Sequence, residues 1–348
     1  MEKFLVIAFT ETDGSLAKPA LEAINAAKTL VASLSGSSLT VGLIGAEAAS
    51  AAGQIGACGA SRFLSVTGAD FSSARYATDA AAAEAICKAA QPTVVIAAGT
   101  SRAARCLPGV AVRLQGRAET HVTGLAVTEG KITVSRWYYR QRMEAQLQRA
   151  QRPWVLLVDP GCFAAFKGEA QTTALESVAV TLPENCLRTT VTGVQAPPAD
   201  EQTIRPDANL LFVTGAGWTK KQADGQPHVK EAEGLILGFL KQTRASLGSS
   251  KSLVDLSGEG QAVLSFLTHL NQIGQTGSTP RHAKGLATCC HGEEPHAVGW
   301  RFINERRAVN TDANCGWARG KADVLYVADA FAVMKKVNEL LIAKGGVK

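Results

Sequence analysis

The sequence has 348 residues, of which 46% are hydrophobic and 6% aromatic, and its formal net charge is +6. This length suits two domains with a sizeable core. No apolar run reaches the ~18 residues of a membrane helix, and the N-terminal MEKFLVIAFTETDG has the pattern of a first strand rather than of a signal peptide. The eight cysteines are dispersed without a C-x-x-C pair, which argues against zinc or iron–sulfur sites and predicts reduced thiols in a cytoplasmic protein.

The first half of the chain alternates strand-like and helix-like stretches. Apolar runs of strand length are KFLVIAF, SLTVGLIG, RFLSVTG and PTVVIAAGTS, and helical patterns are KPALEAINAAKTLVASL, AASAAGQIGACGA, YATDAAAAEAICKAAQ and SRAARCLPGVAVRL. Strands that are apolar almost throughout predict a parallel sheet covered on both faces. The stretches LAVTEGKITVSRWYY and MEAQLQRAQRPWVLLVD then alternate in polarity, which predicts antiparallel strands at a sheet edge.

The arginines of RWYYRQRMEAQLQRAQR form the densest basic cluster in the sequence. They suit either a nucleic-acid patch or a solvated hairpin face. We favour the solvated face and predict no nucleic-acid partner, because no nucleic-acid-binding motif accompanies the cluster. Its members are Arg136, Arg140, Arg142, Arg149 and Arg152.

The pattern weakens between about Asp159 and Ala208, where GVQAPPADEQTIRPDAN resembles an interdomain linker. A second α/β pattern follows, with strands in NLLFVTGAGW, LATCC, RRAVNTDAN and KADVLYVAD. Its predicted helices are HVKEAEGLILGFLKQTRASLG, ending at Gly248, and AFAVMKKVNELLIAKGG. The sequence therefore predicts an α/β protein with two domains, residues 1–200 and 201–348, of which the first is a Rossmann-like parallel-sheet domain.

Glycine or polar residues follow the strands of the second domain. In open parallel sheets ligands bind beyond the carboxyl ends of the strands, where glycines and helix N-termini accommodate phosphates. These loops favour a nucleotide site, although GAG is not G-x-G-x-x-G and turn formation alone would also explain it. The loops are Gly215-Ala216-Gly217, Ser249-Ser250-Lys251, CCHGEEPH and VNTD.

Two histidines and a serine are further candidates for chemistry. His291 and His296 lack neighbours with metal-ligand spacing, and lone histidines are more often structural. Ser101 lacks the nucleophile-elbow pattern. We therefore predict no catalytic residue and no metal from these positions.

The segment QIGQTG, residues 272–277, resembles the Q-V-G-Q-T-G-K segment of the α subunit of electron transfer flavoproteins. The likeness covers nearly the whole chain. VVIAAGTSRAARCLPGVAVRL resembles A-T-S-R-G-R-D-L-A-P-R-V-A-A-R-L, SSKSLVD resembles S-R-x-x-V-D, and HAVGW resembles H-L-A-G-M. RAVNTDANCGWARGKADVLYVADAF resembles the family's A-I-N-x-D…A-D-Y…G-D-L-F tail, and the spacing between Gly277 and His296 is that of the family.

The resemblance implies a heterodimer with an electron transfer flavoprotein β subunit. The domain of residues 1–200 would contact that subunit, and the domain of residues 201–348 would bind FAD, with AMP or a second FAD in the β subunit. An acyl-CoA dehydrogenase-type donor, as in fatty acid oxidation, would reduce the flavin, and a quinone-reductase-type acceptor would oxidise it. The chain would be an electron carrier without direct membrane insertion.

The resemblance also assigns residues to parts of FAD. Gln272 and Thr276 would bond the isoalloxazine edge, with Thr276 at N5, and Gln275 would lie nearer the ribityl chain and phosphates. His296 would lie near N1–C2=O and favour an anionic reduced flavin. Ser250 would bind a phosphate, and Asn310 and Asp323 would lie on the adenosine side. The complete predicted cofactor-binding set is Ser250, Lys251, Gln272, Ile273, Gly274, Gln275, Thr276, His291, Gly292, His296, Asn310 and Asp323.

Several positions depart from the family pattern. Ala216 replaces the Arg of G-R-G-L, Ser278 replaces the Lys after Q-T-G, and Lys251 replaces an Arg whose planar group can lie against a ring. His291 replaces a Ser, and Glu293-Glu294 replace small or apolar residues. Two alternative functions follow: a divergent paralogue with weakened or lost FAD, acting as a nucleotide-binding or scaffold subunit, and a flavin enzyme, alone or within an electron-bifurcating assembly.

Overall fold

The computed structural model describes residues 1–139, 143–193, 204–205, 208–255, 262–273, 281–288 and 303–345. The chain divides into two compact units, residues 1–195 and 196–348. Both units are built of strands and helices, so the predicted α/β fold class is confirmed. No helix in the described ranges combines the length and the apolar character needed to cross a membrane.

Unit 1 contains a nine-stranded sheet in the order β7-β6-β5-β8-β4-β1-β2-β3-β9. The β5–β6 and β6–β7 pairs are antiparallel and the others are parallel. The strands are β1 (Lys3–Phe9), β2 (Ser38–Gly45), β3 (Arg62–Thr67), β4 (Val94–Ala98), β5 (Arg117–Thr128), β6 (Lys131–Tyr138), β7 (Met143–Leu147), β8 (Trp154–Val158) and β9 (Glu176–Ser177). The helices are α1 (Lys18–Ala32), α2 (Ala49–Ile55), α3 (Ala69–Ser72), α4 (Tyr76–Ala90) and α5 (Ser101–Arg113).

Both faces of this sheet are buried. In β1, Phe4 and Val6 pack into the core beneath α1 and α2, while Leu5 and Ile7 pack into the core beneath α4 and α5. Successive residues of a strand point to opposite faces, so a strand buried on both sides must be apolar at every position. This requirement explains why the continuous apolar runs predicted the parallel strands correctly.

Strand β8 corrects the sequence interpretation of MEAQLQRAQRPWVLLVD as antiparallel edge structure. Only the first part, β7, is antiparallel. Residues of β8 are buried throughout and pair in parallel with both β4 and β5. The alternation of the first part does not continue beyond the connection at residues 148–153, because β8 is apolar at every position.

Three arginines of the basic cluster form ion pairs within unit 1, whereas the sequence predicted a solvated face. The Glu119 side chain is only 3% exposed and pairs with Arg136 and Arg149, each at 2.5 Å. Arg152 pairs with Glu2 at 2.5 Å. Arg136 and Arg149 therefore bind the antiparallel part of the sheet to Glu119 of β5, and Arg152 joins the start of β8 to the residue before β1. Arg140 and Arg142 lie outside the described residues.

The segment after β8 crosses the surface of unit 1 instead of leaving it. The Phe166 N–H donates to the Leu21 carbonyl, β9 adds to the edge of β3, and Arg75 Nη1 donates to the Thr189 carbonyl at 2.9 Å. Most of the predicted linker, residues 193–209, lies outside the described residues.

A buried ion pair joins three helices of unit 1. Arg102, at the start of α5, binds Asp79 of α4 through Nε at 3.0 Å and Nη2 at 2.7 Å. Its Nη2 also donates to the Phe71 carbonyl of α3 at 2.6 Å, and the guanidinium lies 4.4 Å from the centre of the Phe9 ring. Asp79 is fully buried, so its charge depends on Arg102 for compensation.

Unit 2 contains a five-stranded parallel sheet in the order β11-β10-β12-β13-β14. Its strands are β10 (Leu210–Thr214), β11 (Ser246–Ser249), β12 (His282–Thr288), β13 (Ile303–Asn310) and β14 (Val324–Val327). Its helices are α6 (Val229–Thr243), α7 (Lys251–Asp255), α8 (Gly316–Lys321) and α9 (Ala330–Ala343). One apolar cluster lies beneath α6 and α9, and a second lies beneath α8.

The prediction of one helix continuing to Gly248 is wrong. Helix α6 ends at Thr243, because Arg244 takes a left-handed conformation with φ of 52° and its N–H donates to the Leu240 carbonyl. The next residues, Ser246–Ser249, form the edge strand β11.

Replacing Asp79 by Asn should strongly destabilise the protein. The neutral amide would leave Arg102, only 15% exposed, without a charge partner, and we expect the free energy of unfolding to fall by about 3 kcal/mol. Urea unfolding followed by circular dichroism measures this loss. The control Glu144→Gln changes an exposed residue and should alter stability by less than ~0.5 kcal/mol. A loss below ~1 kcal/mol for Asp79→Asn would show that the pair is dispensable.

Stability should also depend on pH through Glu22, whose pKa is raised by burial from its ordinary 4.5 although it accepts the Gly161 N–H at 2.6 Å. The folded state then holds this proton more tightly than the unfolded state, so stability falls as pH rises from 4.5 through the raised pKa. Glu22→Gln keeps an acceptor for Gly161 and should melt higher than wild type at neutral pH, with the difference vanishing in acid.

Differential scanning fluorimetry at a series of pH values measures this difference. Glu176 is the control, because its hydrogen bond to Arg62 lowers its pKa. Glu176→Gln should therefore shift the melting temperature in the opposite direction at neutral pH. A pH-independent difference between Glu22→Gln and wild type would refute the assignment.

Candidate functional site

The candidate site lies at the carboxyl edge of the sheet in unit 2. The strand order β11-β10-β12-β13-β14 is the flavodoxin-like order 2-1-3-4-5, and its switch point lies between β10 and β12. Parallel pairing brings Ser249, Thr214 and Thr288 into one row, because Thr214 is in register with both other residues. This edge is where a nucleotide ligand would bind.

The loop after β10 folds inward at the switch point. The Gly215 N–H donates to the Thr288 carbonyl at 3.0 Å, and the Trp218 indole Nε1 donates to Thr288 Oγ1 at 2.8 Å. Trp218 is fully buried and its ring centroid lies 4.7 Å from that of Phe331. Ala216, at the position of the family's Arg, is only 2% exposed. The loop therefore places buried, neutral groups at the switch point.

Strand β11 leads directly into the predicted phosphate ligand Ser250. The Ser250 N–H donates to the Thr214 carbonyl at 2.8 Å, and its Oγ accepts the Leu253 N–H at 3.3 Å, so Ser250 caps α7. The neighbouring Lys251 is exposed at the first position of that helix. The structure thus places both residues at the carboxyl edge.

Gln272 and Ile273 lie beside the end of β11. The Ile273 N–H donates to the Ser249 carbonyl at 3.1 Å, which extends the parallel pairing by one bridge. Ile273 is fully buried, and Gln272 is 8% exposed. A Cβ on Gly248 would lie 2.5 Å from Cγ2 of Ile273, so the absence of a side chain at 248 allows this close approach.

Asn310 ends β13 with one hydrogen-bonding group unused. Its Oδ1 accepts the Asp312 N–H at 2.8 Å, but its fully buried Nδ2 has no hydrogen-bond partner among the described residues. Buried amide donors in native proteins are nearly always paired. The unpaired Nδ2 is therefore a candidate donor to a ligand.

Ser249 Oγ is also buried without a partner in the described part of the chain. Successive residues of a strand lie on opposite sides of the sheet. Gly248 faces Ile273, so the next residue, Ser249, directs its hydroxyl to the other side, which α6 and α9 cover. Val309 packs on the α6 and α9 side, so its neighbours Ala308 and Asn310 lie on the opposite side. The two unpaired groups do not converge on one ligand.

Asp323 lies apart from this edge. It precedes β14 and accepts the Arg306 N–H at 2.6 Å and Nη2 at 3.1 Å, and these bonds lower the pKa of its carboxyl. Arg306 comes four residues before Asn310, so Asp323 is about 13 Å from the carboxyl edge along the sheet. The structure does not bring Asp323 together with Asn310.

Six predicted ligands of FAD lie outside the described residues: Gly274, Gln275, Thr276, His291, Gly292 and His296. The departures at Ser278 and Glu293-Glu294 lie there too. The sequence interpretation in turn missed Thr214, Thr288 and Trp218. The sequence features that could have indicated these residues are a Thr at the end of each of two apolar strands and the Trp of GAGW.

Comparison with known proteins identifies the family of unit 1. A family model described as the electron transfer flavoprotein domain matches residues 4–183. That range spans β1 to β9 and does not reach unit 2. A search of curated proteins found no match to the chain.

The close approach at Gly248 can be tested by adding a methyl group. Gly248→Ala would place Cβ against Ile273 and 3.2 Å from Leu211 Cδ1, and we expect a loss of about 1–3 kcal/mol of stability. The control Gly234→Ala lies within α6 with nothing inside 4 Å, so it should gain about 0.5–1 kcal/mol. Urea unfolding of both variants measures the contrast, and equal effects would contradict the assigned packing.

Proposed function

Because the chain belongs to the electron transfer flavoprotein family, we propose that it is the FAD-binding α subunit of a heterodimeric electron carrier. Its electrons would come from an acyl-CoA dehydrogenase-type donor and pass to a quinone-reductase-type acceptor. The β subunit would hold AMP or a second FAD. Unit 2 would bind the FAD of this chain, and the segment near residues 195–206 would let that unit reorient between partners.

The observation that carries the proposal is the unpaired Nδ2 of Asn310. A fully buried amide donor without an acceptor lowers the stability of the folded protein by about 1–3 kcal/mol unless another group bonds to it. A nucleotide ribose or base supplies such acceptors. The donor lies at the edge where sheets of this strand order bind flavin nucleotides.

The separation between the ring-side and adenosine-side candidates favours a dinucleotide. Ile273 packs on the α8 side of the sheet beside β11, and Asn310 lies on the same side at β13. Two strands, β10 and β12, lie between them, which makes three strand spacings or about 14 Å. A ligand that reaches both positions must be elongated, as FAD is.

Bound FAD would supply one- and two-electron transfer. Gln272 and Asn310 offer neutral amide groups, which can bond the cofactor without fixing its charge. The N-terminal turn of α7, capped by Ser250, lies at the same edge, and Lys251 provides an exposed cation there. These residues would bind and orient the cofactor, and none of them would react.

A second candidate function is a non-redox nucleotide-binding or scaffold subunit. The inward fold of residues 215–219 favours it, because Ala216 and Trp218 are buried and this loop offers no cation to a pyrophosphate. Each lost charge-assisted bond weakens binding by about 1.5–3 kcal/mol. The flavin content of the purified complex distinguishes the two candidates.

Asn310→Ser tests the role of the unpaired amide. The serine hydroxyl can still accept the Asp312 N–H, but it is too short to donate to the ligand from the position of the Asn310 amide. We therefore expect FAD to bind at least about tenfold more weakly, which is a loss of ~1.4 kcal/mol in binding free energy. The α subunit is co-purified with its β subunit, flavin and AMP are counted per heterodimer, and FAD affinity is measured by titration of the stripped complex. Asn314→Ser, at an exposed position of the same loop, is the control and should bind as wild type.

The outcomes separate the proposal from its competitor. A wild-type complex that is colourless and takes up no added FAD would overturn the electron-carrier function. Wild-type affinity in Asn310→Ser would instead leave the function standing and remove Asn310 from the site.

A further inference from the structure

A cleft on the outer side of α4 in unit 1 is unrelated to the proposed flavin site. It has a volume of about 520 Å³ and lies between α4 and residues 179–188, the segment that follows β9. The segment is fixed at both ends, since Val180 and Leu182 pack against the core and Arg75 bonds the Thr189 carbonyl. A volume of this size is within the range of small-molecule sites.

Positive charge predominates along the cleft. Its lining includes the cations Lys88, Arg113 and Arg188 and one carboxylate, Glu84. Glu84 already accepts from Lys88 at 2.7 Å and from Arg113 at 3.0 Å. The bond to Lys88, followed by the bond to Arg113, lowers the pKa of the Glu84 carboxyl. Each of its two oxygens already accepts from one of these cations. The cations exceed the carboxylate by two.

Arg188 faces Glu84 from the opposite wall. Its Nε donates to the Asn185 carbonyl at 3.2 Å, which holds the side chain against the turn of Glu184–Leu187. It forms no ion pair with another residue of the described ranges. Arg188 is thus the cation of the cleft with the most capacity for an external anion.

The remaining lining combines apolar and polar groups. Ala81, Ala85 and Val180 line the cleft together with Thr181 and Asn185. Tyr76 is 43% exposed, its hydroxyl packs over Gly109 of α5, and its side chain lies beside Arg113. From Tyr76 to Lys88 the cleft follows about 18 Å of helix. The row of alanines on α4 beside these cations is complementary to a molecule with an apolar body and an anionic head.

We propose that this cleft binds an organic anion with an elongated apolar body, such as a medium-chain carboxylate. The anionic head would lie between Arg113 and Arg188, and the apolar body would lie along Ala81 and Ala85. The proposal concerns unit 1 alone, so it does not depend on flavin binding.

Fluorescence titration of the full chain with 1-anilinonaphthalene-8-sulfonate tests the cleft, followed by displacement with octanoate, octanol and inorganic phosphate. We expect saturable binding of the probe and displacement by octanoate at a concentration at least tenfold lower than by octanol or phosphate. Ala81→Trp, which fills the cleft, should abolish the octanoate-sensitive signal. Arg188→Gln changes an exposed side chain and should weaken octanoate at least fivefold without affecting octanol.

The control Lys230→Gln removes an exposed cation from α6 in unit 2 and should behave as wild type. The proposal would be overturned by the absence of octanoate-sensitive binding, by equal displacement by octanol, or by wild-type octanoate affinity in both Ala81→Trp and Arg188→Gln. Displacement by phosphate as readily as by octanoate would reduce the cleft to an adventitious ion site and would also overturn it.

Discussion

Parallel pairing of β10 to β14 is the constraint on which the candidate site depends. It gathers every carboxyl end at one edge, where backbone N–H groups bond the last carbonyls of β10, β11 and β12. Threonine hydroxyls add bonds to carbonyls one residue earlier. Thr214 Oγ1 donates to the Gly248 carbonyl at 3.1 Å, and Thr288 Oγ1 donates to the Val213 carbonyl at 3.0 Å. On the other face, the Asn310 Nδ2 has no such partner among the described residues.

In unit 1, a buried ion pair satisfies hydrogen-bonding groups between helices. Its strands are held by apolar packing, but α3, α4 and α5 meet where the Phe71 carbonyl and the buried Asp79 carboxylate both need donors. Arg102 supplies donors to Asp79 and to the Phe71 carbonyl while its flat face rests on Phe9. A lysine could not make these contacts together, because it lacks the planar fork. The TSR motif after β4 therefore has a structural role in this unit: Thr100 caps α5 and Arg102 fixes its neighbours.

Local pattern was enough to predict the strands of unit 1 that are buried on both faces, since burial demands an apolar residue at each position. It failed where structure depends on distant partners. Ser246–Ser249 has little apolar character, and it forms a strand because it pairs in parallel with β10, while Gly248 admits Ile273 from another part of the chain. The arginine cluster was predicted to be solvated because Glu119, which lies beneath it, is distant in sequence. In the site, resemblance pointed to Ser250, Gln272 and Ile273 at one strand end, but only the register revealed Thr214, Thr288 and Trp218.

Trp218 and Ala216 change how a flavin would be held in this chain. An Arg at 216 would bring charge to the switch point, whereas the observed loop directs the Trp218 donor to Thr288 and buries its ring against Phe331. Residues 215–219 thus contribute buried packing rather than charge. In the proposed site, a dinucleotide would be held by backbone and amide groups around β11 and β13, with Lys251 as one cation at that edge. If the chain binds FAD as proposed, the absence of an arginine from this loop would lower the affinity for the phosphates and would leave out a cation that stabilises a reduced, anionic cofactor.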